Sequence, residues 1–317
     1  MVTKTKTGNI LITSISSKVP LIKAVTEARD KYDKNILIYG ADIEDNVIGK
    51  YFVDQFWQMP RLANLTTDNL IDYLKKHNIS YIVPTRDEDL IYYSQHKSLF
   101  LENNIFVFVS DYDSVRICFD KLKFYEDTNS EFVIPTYTKL SGLDTKKNFV
   151  LKERFGAGAS KIKINISYQD VLDSLNQFDS PVVQPFIQGE EYSIDSYVTR
   201  RGVCVASVIR SRDLVINGES KITTRVVDQK LASLCKSFLE QNKILGHSVL
   251  QVIKDDDSYH FIECNSRFGG ASTLSVKLGL ESFLWFLEET NNKEITVNLS
   301  DKIIKQVRIS KDIYYEC

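Results

Sequence analysis

His247 to Gly270 reads HSVLQVIKDDDSYHFIECNSRFGG, two apolar runs joined by an acidic turn, and its reading decides the fold. It predicts an antiparallel hairpin ending in Glu263, Cys264, Asn265, Ser266 and Arg267. Strand side chains alternate between faces, so Glu263 and Asn265 project to one side and Cys264 to the other. If the hairpin closes through a three-residue loop at Asp256, Asp257 and Ser258, Gln251 falls opposite Glu263. A one-residue slip would put Ile262 there instead. We expect the first register, which builds an oxygen-lined patch suited to a hard cation such as Mg2+. Arg267, just beyond, can reach an anion held by that metal. A plain amphipathic hairpin with a wet polar face would carry the same residue types. Against it, Val249, Ile253 and Phe261 share the polar face, and a half-buried carboxylate needs a charged or hydrogen-bonding partner.

The first third alternates short apolar runs with amphipathic segments. Asn9 to Thr13, Asn35 to Gly40, Ser80 to Pro84 and Ile105 to Val109 predict strands, separated by helices near 20–31, 67–77 and 87–101. That is the pattern of a doubly wound parallel sheet, which binds ligands at the carboxyl ends of its strands. Residues 13–17, 40–42 and 85–89 are therefore candidate loops. The G-x-G-x-x-G fingerprint is missing after the first strand, where the chain reads ITSISSKVP, which argues against a dinucleotide.

From about Val115 the pattern changes. A helix near 119–128 leads to strands at 149–152 and 161–165, a helix at 168–177 and a strand at 182–184. Long antiparallel strands follow at 192–199 and 203–211, then a helix at 226–243 and the hairpin. A helix near 281–289 and a strand at 303–309 close the unit. VLKERFGAGASKIK, Val150 to Lys163, places Gly156 to Ser160 between two strands. Such small residues let backbone N–H groups approach phosphate oxygens, with Lys152 adding a point charge. Walker spacing is absent, so the same loop also reads as a plain hairpin turn. In VVQPFIQGEEYSID, Val182 to Asp195, the extended run at Phe186 and Ile187 can lie along an adenine edge, and Glu191 can accept ribose hydroxyls. Taken alone, those two apolar residues are more often core than purine contacts.

With 317 residues, 43% of them apolar, the chain can bury an ample core. Forty basic and 42 acidic residues give a net charge of −2, so no global field points to nucleic acid or an anionic membrane. No run reaches the roughly 20 apolar residues of a membrane span, and MVTKTKTGNILIT lacks a signal-peptide apolar region. A cytoplasmic location is expected. Five cysteines without close pairs predict free thiols, and four scattered histidines predict packing or surface roles.

Taken in order, Asp120-Lys121, Lys152 with GAGAS, QPFIQGEEYSID, Gln251 and ECNSR make the chain resemble the ATP-grasp superfamily. Within it, the carbamoyl phosphate synthetase-like and biotin carboxylase-like carboxylate–amine ligases are the relevant branch. The likeness covers nearly the whole chain, including PTRDEDL at Pro84 to Leu90. It implies a mixed α/β and α+β architecture. An N-terminal doubly wound, Rossmann-like pre-ATP-grasp domain at 1–114 would precede a two-lobed ATP-grasp domain at 115–317, with a lid at about 130–185 and a C-terminal lobe at about 186–317. It further implies that Lys121 and Lys152 hold ATP phosphates, that Phe186 and Ile187 give backbone contacts to adenine with Gln184 near its amine, and that Glu191 takes the ribose. Glu263 and Asn265, with Gln251 adjacent, would bind Mg2+, or Mn2+ in its place. Arg267 would steady the transferred phosphate. Glu153 stands where many relatives have proline, and Ala159 where another small residue or glycine is common; neither removes a ligand.

Arg210 and Arg212 share a strand face and could clamp a substrate carboxylate or the γ-phosphate, or else line a solvated edge. Residues 213–222, around Asn217-Gly218, read as a mobile loop able to close over the site. Asp87, Glu88 and Asp89 could meet an amino group, or simply charge a helix N-terminus. The expected function is an ATP-dependent ligase that activates a small carboxylate, such as an amino acid, as an acyl phosphate for attack by an amine. Lysines, arginines and Mg2+ would do this by positioning and electrostatics. The alternative is an ATP-binding regulatory or partner module without ligase activity. Partners would be small molecules, with no nucleic acid and no membrane, and a homodimer is allowed.

Overall fold

The computed structural model describes residues 8–156, 161–256 and 258–316. β1 (Asn9–Thr13), β2 (Ile38–Asp42), β3 (Gln55–Gln58), β4 (Ile79–Val83) and β5 (Phe106–Val107) form a parallel sheet in the order β3-β2-β1-β4-β5. β3 escaped the sequence reading because QFWQ is a short, part-exposed edge strand with no apolar run. The apolar strands are buried on both faces. Ile10 and Ile12 pack with Ile22 and Val25, while Leu11 and Ile82 pack with Leu70 and Tyr93. This two-sided burial explains the continuous apolar runs. The helix Val19–Tyr32 starts with Pro20 in its first turn and ends with Arg29 and Lys31 near the negative end of its dipole. The helix expected at 87–101 breaks at His96 into Asp87–Gln95 and Lys97–Glu102.

The second part is antiparallel. β6 (Phe149–Glu153), β7 (Ile162–Ile166) and β8 (Pro181–Pro185) make a three-stranded sheet in the order β7-β6-β8. Its helix, Tyr168–Ser174, opens with a capping box between Ser167 and Asp170. β9 (Glu190–Val198), β10 (Cys204–Ser211), β11 (Leu214–Ile216), β12 (Glu219–Val226), β13 (Gly246–Lys254) and β14 (Tyr259–Asn265) form the large sheet in the order β11-β12-β10-β9-β13-β14. β15 (Lys305–Val307) is paired to β12. Asp228 caps the helix Gln229–Gln241 by accepting from the Leu231 N–H at 3.0 Å. That helix lays Leu231, Cys235, Phe238 and Leu239 on Ile194, Leu250 and Phe261, behind the hairpin.

Residues 213–222 are not a loop. Asn217 and Gly218, with φ of 51° and 76°, form the tight turn of the β11–β12 hairpin, where both positive angles match the twist of the flanking strands. A single core joins the parallel sheet to the large one. Ile12 and Tyr81 belong to the same cluster as Tyr197, Val208 and Trp285, which fixes the loops of one against the face of the other. Cys118, Cys204, Cys235 and Cys264 are free thiols; Cys317 lies outside the described residues. Among the described residues, no helix is long and apolar enough to cross a membrane.

Candidate active site

Gln251 stands opposite Glu263 and Val249 opposite Asn265, the register expected, but it is reached differently. At the tip Lys254 pairs with Tyr259, Ile253 with His260 and Val252 with Phe261, which is the slipped register. A bulge at Ile262 then restores the phase. The loop therefore spans 255–258, of which Asp257 lies outside the described residues. Phe261 is a correction: it faces the core behind the sheet with Val252 and Cys264, while Ile262 turns toward the site.

Glu263, Gln251 and Asn265 face one cavity. The Asn265 amide donates to Glu263 at 3.2 Å, and Arg267 approaches the Asn265 Oδ1 at 3.4 Å. One carboxylate and two amide oxygens suit a hard divalent cation that draws its remaining ligands from phosphates and water. Among the described residues no three His, Cys, Asp or Glu side chains cluster as a self-sufficient metal cage. Arg267 is clamped by Asp87 at 2.7 and 3.0 Å. Burial works against the arginine charge, and Asp87 together with Glu263 and Glu88 outweighs it, leaving the pKa raised. Neither sequence reading of Asp87 captured this pair, which ties the β4 loop to the end of β14. Asp89 accepts from Thr13 and Ser14 hydroxyls at 3.0 and 2.7 Å, and Glu88 pairs with Arg86 at the surface.

A cavity of about 530 Å³ lies between the three-stranded sheet and the hairpin. All six expected nucleotide residues line it: Lys121, Lys152, Gln184, Phe186, Ile187 and Glu191. Lys121 donates to the Gly156 carbonyl at 2.8 Å, and Asp120 beside it holds Arg154 through two hydrogen bonds. Burial pulls the Lys152 pKa down to about 8, despite nearby Glu263. Gln184 uses its amide N–H on Thr136 at 2.8 Å, leaving its oxygen for a ligand. The Phe186 N–H donates to the Asn148 carbonyl at 2.9 Å, so what Phe186 can offer an adenine is its carbonyl. Glu191, expected free for a ribose, lies 3.0 Å from Arg212, and burial raises its pKa. Gly156 has a φ of +98°, which favours glycine; Ala157 to Ser160 of the expected phosphate loop lie outside the described residues.

A second cavity of about 320 Å³ lies over the same face, toward the base of the hairpin. The two cavities share Arg212, Gly218, Gln251 and Glu263. Its floor holds Arg210, whose Nε donates to buried Asp195 at 2.7 Å. Asp195 also accepts from Ser272 and Ser275, and His247 lies 3.4 Å away. Burial raises the Asp195 pKa, but Arg210 and His247 outweigh it and hold the carboxyl below its usual range. Ser17, Lys18 and Thr85 enter this cavity from the carboxyl ends of β1 and β4, where the strand order reverses. The sequence pointed to these loops but stopped one residue short of Lys18. Arg308, also in the lining, had no sequence signal, because the pairing of the tail with β12 joins residues far apart in the chain.

Comparison with known proteins identifies the two parts of the chain. Residues 118–271 match the ATP-grasp domain family, and residues 10–108 match the PylC-like N-terminal domain. The chain carries an ATP-grasp domain. A curated relative, carbamoyl-phosphate synthase of Methanobrevibacter smithii, is 26% identical over 254 residues, covering 71% of this ATP-grasp chain and 68% of that protein. The fold is similar to N5-carboxyaminoimidazole synthetase of Staphylococcus aureus complexed with ADP (12% identity, TM-score 0.71, 95% of this chain and 82% of that one). It is also similar to Rhizobium etli pyruvate carboxylase (15%, TM-score 0.69, 91% of this chain), but spans only 29% of that longer chain. At these identities the structural likeness speaks for the ATP-grasp fold.

Proposed function

We propose that this ATP-grasp protein is an ADP-forming carboxylate–amine ligase. The observation that carries the reading is the junction of the two cavities at Gln251 and Glu263, with Arg212 and Gly218 above them. A nucleotide in the larger cavity would present its terminal phosphate where a carboxylate in the smaller one could reach it. Lys121 and Lys152 bind and orient the phosphates, while the Phe186 carbonyl, Ile187 and Gln184 face the base. Glu191 accepts ribose hydroxyls, and Arg212 beside it opposes the burial that raises its pKa. ATP-grasp enzymes use ATP with Mg2+, and Glu263, Asn265 and Gln251 are the residues that would hold the ion here. Bound Mg2+ neutralises phosphate charge.

The substrate carboxylate, docked on Arg210, attacks the γ-phosphorus; the bond to the ADP oxygen breaks and an acyl phosphate forms. An amine then attacks the carbonyl carbon, phosphate leaves and the nitrogen loses a proton. Arg267, held in place by Asp87, stabilises the charge on the transferred group. The test is phosphate release from Mg-ATP against pooled carboxylates and amines, with Lys152→Ala as control. Release that needs one pool and vanishes in the control supports a ligase. Thermal stabilisation by ATP without release in any pool favours a binding module.

A further inference from the structure

The charges of the smaller cavity are unevenly compensated, and that unevenness bears on what it accepts. Its three inner guanidiniums each have a carboxylate: Arg210 has Asp195, Arg212 has Glu191 and Arg267 has Asp87. What the floor lacks is a hydrogen-bond acceptor. Arg210 is 3% exposed, yet its Nη1 has no partner among the described residues. A buried guanidinium N–H left unpaired leaves the Arg210 charge incompletely answered, and the Nη2 side of that guanidinium borders the cavity beside Gly269, where a ligand oxygen is the natural complement.

Nearer the mouth, the imbalance is of charge. Lys18 is half-buried and forms no ion pair among the described residues; burial and then Arg267 lower its pKa. Arg308 shares the single carboxylate of Glu219 with Lys221, at 3.2 and 2.9 Å. Two consecutive glycines keep this space open. A Cβ on Gly269 would stand 3.9 Å from the Arg210 Nη2, and one on Gly270 would stand 3.1 Å from the Arg308 guanidinium. Consecutive Cα atoms are about 3.8 Å apart, so the two cations flank neighbouring peptides and are within reach of one small molecule.

We propose that this cavity takes a substrate with two anionic groups. The reacting carboxylate sits at the cavity edge of the Arg210 guanidinium beside Gln251 and Glu263, and a second carboxylate or phosphate sits between Lys18 and Arg308. The inference rests on the ligase reading of this site and narrows its substrate class. A monocarboxylate leaves the Lys18 and Arg308 charges unanswered. The ammonium of an amino acid finds no free carboxylate, because Glu219 is held by two cations and Glu263 borders the metal position. A volume of about 320 Å³ accommodates a small metabolite.

The experiment titrates the full chain, with Mg2+ and a non-hydrolysable ATP analogue, with matched pairs by calorimetry: succinate and butyrate, glutarate and valerate, phosphoglycolate and glycolate. At least one dianion should bind at least about tenfold more tightly than its monoanionic partner, the scale of one charge-assisted hydrogen bond. The dicarboxylate and phosphate arms tell which second group is preferred. Lys18→Gln and Arg308→Gln should each remove most of the preference; both side chains are partly exposed, and unfolding midpoints verify their folds. Equal binding in every pair, or a preference that survives both variants, overturns the inference. Phosphate release with ATP and pooled amines added to each arm, measured in parallel, reports on the ligase reading separately. Release with monoanions alone keeps the ligase and overturns the dianion site. Dianion preference without release in any arm keeps the site and removes the ligase.

Discussion

Lys152 should make the ligand-free protein less stable than it could be. Its side chain is 5% exposed, and burial brings its pKa from 10.5 to about 8. At 1.36 kcal/mol for each tenfold change in proton affinity, that fall corresponds to about 3 kcal/mol. The sign follows from proton binding: between the two values the unfolded chain holds the lysine proton more tightly than the folded one. The penalty is thus fully present below about pH 8 and is relieved as pH rises toward 10.5. Lys152→Met keeps an unbranched apolar stem and removes the charge. At pH 7 the variant should be more stable than the parent by up to about 3 kcal/mol, and by roughly 1.4 kcal/mol at pH 9.5. Urea unfolding at both pH values measures this, and the difference between the proteins cancels every other titration common to both. ATP binding should weaken about tenfold to a hundredfold, the usual range for a lost charge-assisted contact. A variant less stable than the parent at pH 7, or a gap that does not shrink at pH 9.5, would refute the claim that burial strains this lysine.

Three further outcomes are expected. Glu263→Gln should lower Mg-ATP-dependent phosphate release by at least about a hundredfold while leaving the urea midpoint nearly unchanged, since the carboxylate faces a cavity; near-normal turnover would remove it from the metal position. Asp87→Asn leaves Arg267 without its clamp and should cost about 1–3 kcal/mol of stability while also slowing turnover, read by calorimetry and phosphate release; an effect on neither would mean the pair is incidental. Gly218→Ala puts a side chain at a φ of 76° in a turn that borders both cavities, so it should destabilise by about 1 kcal/mol and raise KM for both substrates, which unfolding and steady-state kinetics would show.

Much of the site was legible because it lies on strands whose period is local. VLKE, VVQPF and IECN each announce which side chains share a face, and Lys152, Gln184, Glu191, Glu263 and Asn265 indeed line the cavities. What was illegible depends on partners far along the chain. The Asp87–Arg267 pair spans 180 residues, and the Arg210–Asp195 pair draws on Ser272 and Ser275 from a later segment. The β11–β12 hairpin was misread for another reason. Leu214, Val215 and Ile216 are all exposed, so the segment lacks the one-sided burial that marks a strand, although Asn217-Gly218 is a strong turn signal. Its regularity comes from pairing to β10 and β15 rather than from its own pattern.

The Ile262 bulge shows how a correct conclusion can rest on a mistaken step. Counting back from a three-residue loop places Gln251 against Glu263, but the loop is one residue longer on the β13 side. Without compensation, every side chain toward the base of the hairpin would change partners, and the carboxylate would lose its place beside Gln251. The extra residue at Ile262 absorbs that offset. Phe261 remains in the core against Val252, where an aromatic side chain is better buried, while Glu263 and Asn265 remain over the cavity. The hairpin meets two demands of opposite phase, Phe261 in the core and Glu263 with Asn265 over the cavity, and a uniform alternation of faces cannot satisfy both. A bulge at the start of the polar segment can, which is why the departure from regular pairing falls beside the candidate metal ligands.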